Sequence, residues 1–101
     1  MKKHIVKTAI VEIGWLKPNP ENVYPLSDIP TLANLMDAER MQTPIEVLED
    51  GTIVKGHRRH AAAKLLGWET VEVVIVRYDT HWEMLMAMFH SLAILGVLEQ
   101  A

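Results

Sequence analysis

A chain of 101 residues with a formal charge of -3 has the length of one compact domain, and its 50% apolar content is globular, which excludes intrinsic disorder. The acidic balance excludes a protein that coats nucleic acid through its whole surface, so any anion site must be local. Without cysteine there is no disulfide framework, thiolate nucleophile or thiolate zinc site, and the expected compartment is the reducing cytoplasm.

The first segment, "HIVKTAIVEI" from His4 to Ile13, is rich in β-branched residues and reads as a strand rather than a signal peptide. "GWLKPNPENVYPLSD" follows with Pro18, Pro20 and Pro25, which fix φ and remove backbone donors, so it reads as a structured loop. Asp28 is placed to cap a helix running to about Arg40, with Pro30 and Thr31 in its first turn and Ile29, Leu32, Leu35 and Met36 at helical spacing. In "PIEVLEDGTIVKG" the pair Asp50-Gly51 suits a two-residue type I′ turn between two apolar strands. That turn sets Glu49 opposite Thr52, Leu48 opposite Ile53, Val47 opposite Val54 and Glu46 opposite Lys55.

The second hairpin strand runs directly into Gly56 and a helix from His57 to Leu66, which Gly67 ends as a left-handed cap. "TVEVVIV", Thr70 to Val76, is apolar on both faces except for Glu72 and reads as a buried central strand. Near Thr80 a last helix begins, and over Trp82 to Leu98 its apolar residues surround the axis instead of forming one stripe. It falls short of a membrane span, so no membrane is expected. One face can pack on the domain while the other needs a second cover, so residues 82–98 are expected to pair with another copy of the chain or with a downstream domain. The expected class is α/β: a small mixed β-sheet with a β-hairpin and about three helices, in a single domain over residues 1–101 that includes the C-terminal apolar helix at 80–99.

Chemistry concentrates at "GHRRHAAAKLLG". A strand that ends in glycine and turns straight into a helix exposes the first unpaired N–H groups, which attract phosphate or carboxylate. Arg58 and Arg59 point about 100° apart on the first turn, so each can fork onto a separate oxyanion. Cations here oppose the helix dipole by some tenths of a kcal/mol, a cost that a bound anion would explain. If both arginines serve only the anion, their replacement by alanine leaves the unliganded protein as stable as before or slightly more so, since the conflict with the dipole is removed. The alternative is that they pair with carboxylates such as Glu21 or Glu49, or are simply solvated.

The box, preceded by "MQTPIEVLEDGTIV" and followed by "ETVEVVIV", resembles the N-terminal domain of the ParB/sulfiredoxin superfamily, the ParB-like nuclease domain. Leu16 to Pro20, Gln42 to Pro44 and Gly56 to Arg59 stand where that family carries its loop, its Gln-x-Pro-like segment and its arginine box, so the resemblance covers roughly Ile10 to His90. It implies nucleotide binding, CTP or ATP with Mg2+ as an accompanying ion, with Gly56, His57, Arg58 and Arg59 on the phosphates. Asn19, Glu21, Asn22, Gln42, Thr43 and Pro44 are the candidates for further nucleotide contacts. For Asn19, Glu21 and Asn22 the alternative is turn formation through Asx hydrogen bonds.

Departures from the family's patterns narrow the activity. Sulfiredoxin chemistry depends on a cysteine where this chain has Gly56, and is excluded. The serine-kinase branch and several nuclease-like members carry an acidic residue where Lys55 stands, so no general base comes from that position. Partition-type members carry a second phosphate motif on the helix after the last strand, where "MAMFHSLAIL" has no arginine. A weak nucleoside triphosphatase or nuclease function stays open beside a catalytically silent interaction module, and no catalytic residue is assigned. DNA stays open as a partner, although nothing after Ala101 supplies a helix-turn-helix. No metal site is expected either: His57 and His60, with His81 or His90 as a third ligand, lack a completing carboxylate or cysteine pattern. Trp15 is a candidate base-stacking ring, Trp68 is expected to pack back on its helix, and Glu72 is either an edge carboxylate or a partner for an arginine of the box.

Overall fold

The computed structural model describes residues 3–23, 25–41 and 43–89. Its four-stranded mixed sheet runs in the order β1-β4-β2-β3 and is combined with three helices. The expected α/β class is the one observed.

Strand β1, Lys3–Glu12, is an edge strand antiparallel to β4, Thr70–Tyr78, with an irregularity between Ile5 and Lys7. A short 3-10 turn, Ile13–Trp15, leads into the proline-rich loop. That loop is docked rather than loose, because Lys17 N donates to Gly51 O (2.9 Å) and Ile53 N to Lys17 O (2.9 Å), closing the β3 edge of the sheet. Helix α1, Ile29–Glu39, starts after Asp28, whose side chain makes no capping bond. Asp28 instead turns the chain through a left-handed conformation (φ 57°) and its carbonyl accepts from Leu32 N. The inner face of α1 holds Ala33 and Met36, with Ile29 and Leu32 beside them, whereas Leu35 is exposed.

The hairpin of β2, Ile45–Leu48, and β3, Ile53–Lys55, corrects the two-residue turn. Leu48 N donates to Thr52 O and Gly51 N to Leu48 O, which closes a three-residue loop with only Gly51 at positive φ (91°). A type I′ turn needs positive φ at Asp50 as well. Asp50 instead accepts Thr52 N on its carboxylate (2.9 Å), which holds that carboxyl below the usual range. Val47 therefore faces Ile53, not Val54, and the bulge that leaves Val54 without an opposite residue restores the expected Glu46 to Lys55 pair.

Helix α2, His57–Leu65, ends in a Schellman motif: Trp68 N donates to Ala63 O, Gly67 N to Lys64 O, and Gly67 has φ 76°. Trp68 packs back against the cluster formed by α1 and α2, as expected. Strand β4 lies between β1 and β2, parallel to β2. Its residues Val71, Val73 and Ile75 join Leu16, Ile45, Val47 and Ile53 in one core cluster, while Val76, with Val74 and Tyr78 beside it, packs with Val54, Met84 and Met88 in another. Glu72 is exposed on β4 opposite Ile10. The third helix, α3, is described over residues 81–89. Thr80 caps it, accepting Glu83 N on its hydroxyl (3.1 Å). Met84, Ala87 and Met88 are buried, and Trp82 and Met86 are exposed. The part of the expected pairing helix from 90 to 98 lies outside the described residues, and no helix of the described residues is long and apolar enough to cross a membrane.

Candidate functional site

A cleft of about 430 Å3 opens at the β3–α2 junction, lined by Asn22 of the loop, Leu32 of α1, Val54, Lys55 and Gly56, the first turn of α2 from His57 to Arg59, and Met88 of α3. Four separate segments thus meet around one helix N-terminus. Helical hydrogen bonding begins with His60 N on Gly56 O (2.8 Å), so the amides of His57, Arg58 and Arg59 precede the ladder. No side chain caps them and no acidic residue stands in the first turn. The partial positive charge of this helix end therefore faces the cleft without a neutralising carboxylate of its own turn.

Gly56 is required twice over. It has φ 111°, which side chains with a Cβ rarely adopt, and a Cβ would sit 3.1 Å from Ile45 Cγ1 and 3.2 Å from Arg59 Nη2. The strand-to-helix turn can be this tight because Ile45, wholly buried at the start of β2, lies directly behind it.

His57 is not a cation here. Its Nε2 accepts the backbone N–H of Asn19 (3.0 Å), which leaves the proton of the neutral ring on Nδ1. Burial, with His60 nearby as a lesser cause, pushes His57 below the usual histidine range. His60 is buried and likewise lowered, chiefly by burial, then by Lys64, with the Ile13 backbone pulling the other way. Each arginine is tied to main-chain carbonyls rather than to Glu21 or Glu49. Arg58 Nε donates to Ser27 O (3.1 Å). Arg59 Nη1 donates to both Thr43 O and Pro44 O, the latter at 2.8 Å. Burial lowers the Arg59 pKa, an effect that the negative charge of Glu46 opposes.

The loop candidates separate into different environments. Asn19 is buried: its Oδ1 accepts Glu21 N (3.0 Å), its carbonyl accepts Asn22 N (3.0 Å), and its Nδ2 lies 3.3 Å from Met88 Sδ. It joins the loop to α2 through His57 and to α3 through that methionine. Glu21 is paired with His81 Nε2 (2.9 Å), and Asn22 lines the cleft. Thr43 and Pro44 face Arg59 through their carbonyls, while Gln42 lies outside the described residues. Trp15 is part of the fold: it packs on the main core cluster, its ring 3.2 Å from where a Gly51 Cβ would stand. Among the described residues no group of three or more His, Cys, Asp or Glu side chains is gathered for a metal ion.

Leu32, Val54 and Met88 line the cleft although the sequence pattern marks Leu32 and Val54 only as apolar residues of a helix and a strand and places Met88 in the stretch expected to pair. Helical spacing in α1 and the apolar run of α3 carried their burial, but nothing local marks which apolar residues reach a cleft built from four segments.

The comparisons with known proteins agree with this architecture. A family model described as the ParB N-terminal domain matches residues 1–92. Among solved structures, the chain is similar to the C-terminally truncated chromosome-partitioning protein ParB from Caulobacter crescentus complexed with CTP-γ-S: 24% identity, TM-score 0.71, 81% of this chain and 50% of that one. It is similar to a pNOB8-like ParB N-domain at 18% identity and TM-score 0.68, over 86% of this chain and 35% of that one. A mutant free serine kinase in complex with AMP follows at 20% identity and TM-score 0.61, over 77% of this chain and 34% of that one. The chain thus spans a third to a half of these structures' lengths. No curated protein matches its sequence.

Proposed function

The chain belongs to the ParB N-terminal domain family, and we propose that it binds a nucleoside triphosphate, CTP or ATP, with the phosphates at the Gly56 to Arg59 turn. The observation that carries this reading is the uncapped N-terminus of α2, which opens into a cleft with Arg58 on its rim and no acid in its first turn. Two structures of the same fold, described as complexes with CTP-γ-S and with AMP, give the reading its ligand class. Among the described residues no carboxylate lines the cleft, so Mg2+ would arrive with the nucleotide, held by phosphate oxygens and water. The activity proposed is binding; weak triphosphatase or nuclease chemistry would need a free base, and the imidazole among the described lining residues, His57, already has its Nε2 engaged by Asn19 N.

A thermal-shift series tests this. A ligand that binds only the folded chain at about 100 times its Kd adds about 2.7 kcal/mol of stability. Millimolar CTP or ATP with magnesium is expected to raise the melting temperature, and less so for Arg58→Gln. A flat response to CTP, ATP, GTP and UTP supports the second reading, a silent interaction module. That reading has its own observation, since both arginines already hold main-chain carbonyls.

The single-domain organisation over 1–101, a cytoplasmic location, and the pairing of the 82–98 helix with a second copy or a downstream domain belong to the same proposal. Exposed Trp82 and Met86 on α3 support the pairing. Light scattering at micromolar concentration tests it, a monomer overturning the homo-oligomer.

A further inference from the structure

The two arginines of the turn differ in what their guanidinium groups already hold. We propose that Arg58 is the anion contact and that Arg59 is a positioning residue, which shapes the phosphate turn by clamping Thr43 and Pro44. The proposal rests on the nucleotide reading above and divides its labour between the two side chains.

Arg59 sits between two segments that must be held together. One of its nitrogens, Nη1, donates to both carbonyls, and the other, Nη2, lies against Gly56, 3.2 Å from the position of a Cβ. Among the described residues it has no carboxylate within ion-pair distance, so its charge is met by those two carbonyl dipoles and by the more distant negative charge of Glu46. The planar fork of a guanidinium can meet two diverging acceptors at once, which a lysine ammonium on a flexible stem does less well.

The clamped segment needs a clamp. It begins at Arg40, where α1 stops with φ 65° and ψ 178°, a region that residues with a Cβ occupy only under strain. It ends at Pro44, which has no N–H to offer a neighbouring strand. The next residue is Ile45, whose Cγ atoms lie 3.1 and 3.2 Å from the Gly56 Cβ position. Contacts therefore close a ring from Arg59 through Thr43 and Pro44 to Ile45 and back to Gly56. Turning the Arg59 fork toward a phosphate would open that ring and leave both carbonyls without this donor.

Arg58 is free of such duties. It is exposed on the cleft rim, and its described hydrogen bond, from Nε to Ser27 O, uses one of five N–H donors. Its terminal nitrogens can fork onto an oxyanion beside the α2 amides while the Nε bond fixes the stem.

The experiment is calorimetric titration of CTP, ATP and inorganic triphosphate, with magnesium, at several salt concentrations. The proteins are the native chain, Arg58→Gln, Arg59→Gln and Arg59→Lys, each also melted without ligand. Arg58→Gln is expected to weaken binding about tenfold or more and to flatten its salt dependence, with the melting temperature unchanged. Arg59→Gln and Arg59→Lys are expected to melt lower and bind more weakly, yet to keep the native salt dependence. Should these variants not fold, the native protein decides: on ligand addition the Arg58 side-chain NMR signal moves and the Arg59 Nη signals stay. Native affinity in Arg59→Lys, or an Arg59 guanidinium signal that moves more than that of Arg58, overturns the division of labour alone. Absence of binding to the native chain overturns the nucleotide reading and the anion role of Arg58 with it.

Discussion

Replacing Gly56 by alanine probes the turn on which the site depends. Two costs add. At φ 111° and ψ 25° an alanine is held in a sparsely populated region, at about 1–3 kcal/mol. Its Cβ would also stand 3.1 Å from Ile45, which is fully buried and has no room to retreat, and 3.2 Å from the tethered Arg59 fork. Overpacking of that kind costs about 1–3 kcal/mol. Together they give roughly 2–6 kcal/mol, a loss of roughly 10 °C or more in melting temperature for a domain of this size. Gly67→Ala supplies the control, because Gly67 also has positive φ (76°) but nothing within 4 Å of its Cβ position. Urea denaturation of the native chain and the two variants separates strain from packing. Gly56→Ala should be the more destabilised, and a loss no greater than that of Gly67→Ala would refute the packing argument. Weak nucleotide binding in a folded Gly56 variant then reports a distorted turn rather than a blocked approach.

Two further outcomes follow from the same geometry. Because burial lowers the folded-state pKa of His57, its contribution to stability is present above about pH 6.5, its ordinary value, and is lost as pH falls through the folded value. Protonation removes the Nε2 acceptor from Asn19 N, so between pH 8 and 5 the native chain should lose more urea resistance than His57→Gln; the reverse order would contradict the neutral-ring assignment. Thr80→Ala removes the hydroxyl that accepts Glu83 N and should cost about 1 kcal/mol, with Thr80→Ser close to native. Equal stability of all three proteins would show that α3 does not depend on this cap.

Much of the fold is legible in local chemistry. Gly67 ends α2 because a left-handed cap and the Trp68 contact are encoded in adjacent residues, and β4 is central because its apolar residues serve two faces. The hairpin shows where such reading stops. Asp50-Gly51 marks the turn, but whether Asp50 itself takes positive φ depends on whether its carboxylate can bond Thr52 N instead, and that choice moves the register by one residue. The capping of α1 failed similarly, since Asp28 acts through its backbone conformation and not its side chain.

At the site, the glycine and the arginines are visible as a box, and the unpaired amides follow from the strand-to-helix turn. What Arg59 holds was hidden, because its acceptors are main-chain carbonyls 15 and 16 residues away and a carbonyl has no sequence signature. The buried role of Asn19 was half visible: proline-flanked asparagine suggests an Asx turn, but its ties to His57 and Met88 need the packed structure.

The central claim is that nucleotide phosphates meet the first amides of α2, and amide NMR of the native chain titrated with CTP and ATP in magnesium tests it most directly. The account predicts that the backbone N–H signals of His57, Arg58 and Arg59 move furthest, with Lys55 and Asn22 next. Saturable binding that leaves those three amides in place while shifting another face of the protein would contradict it.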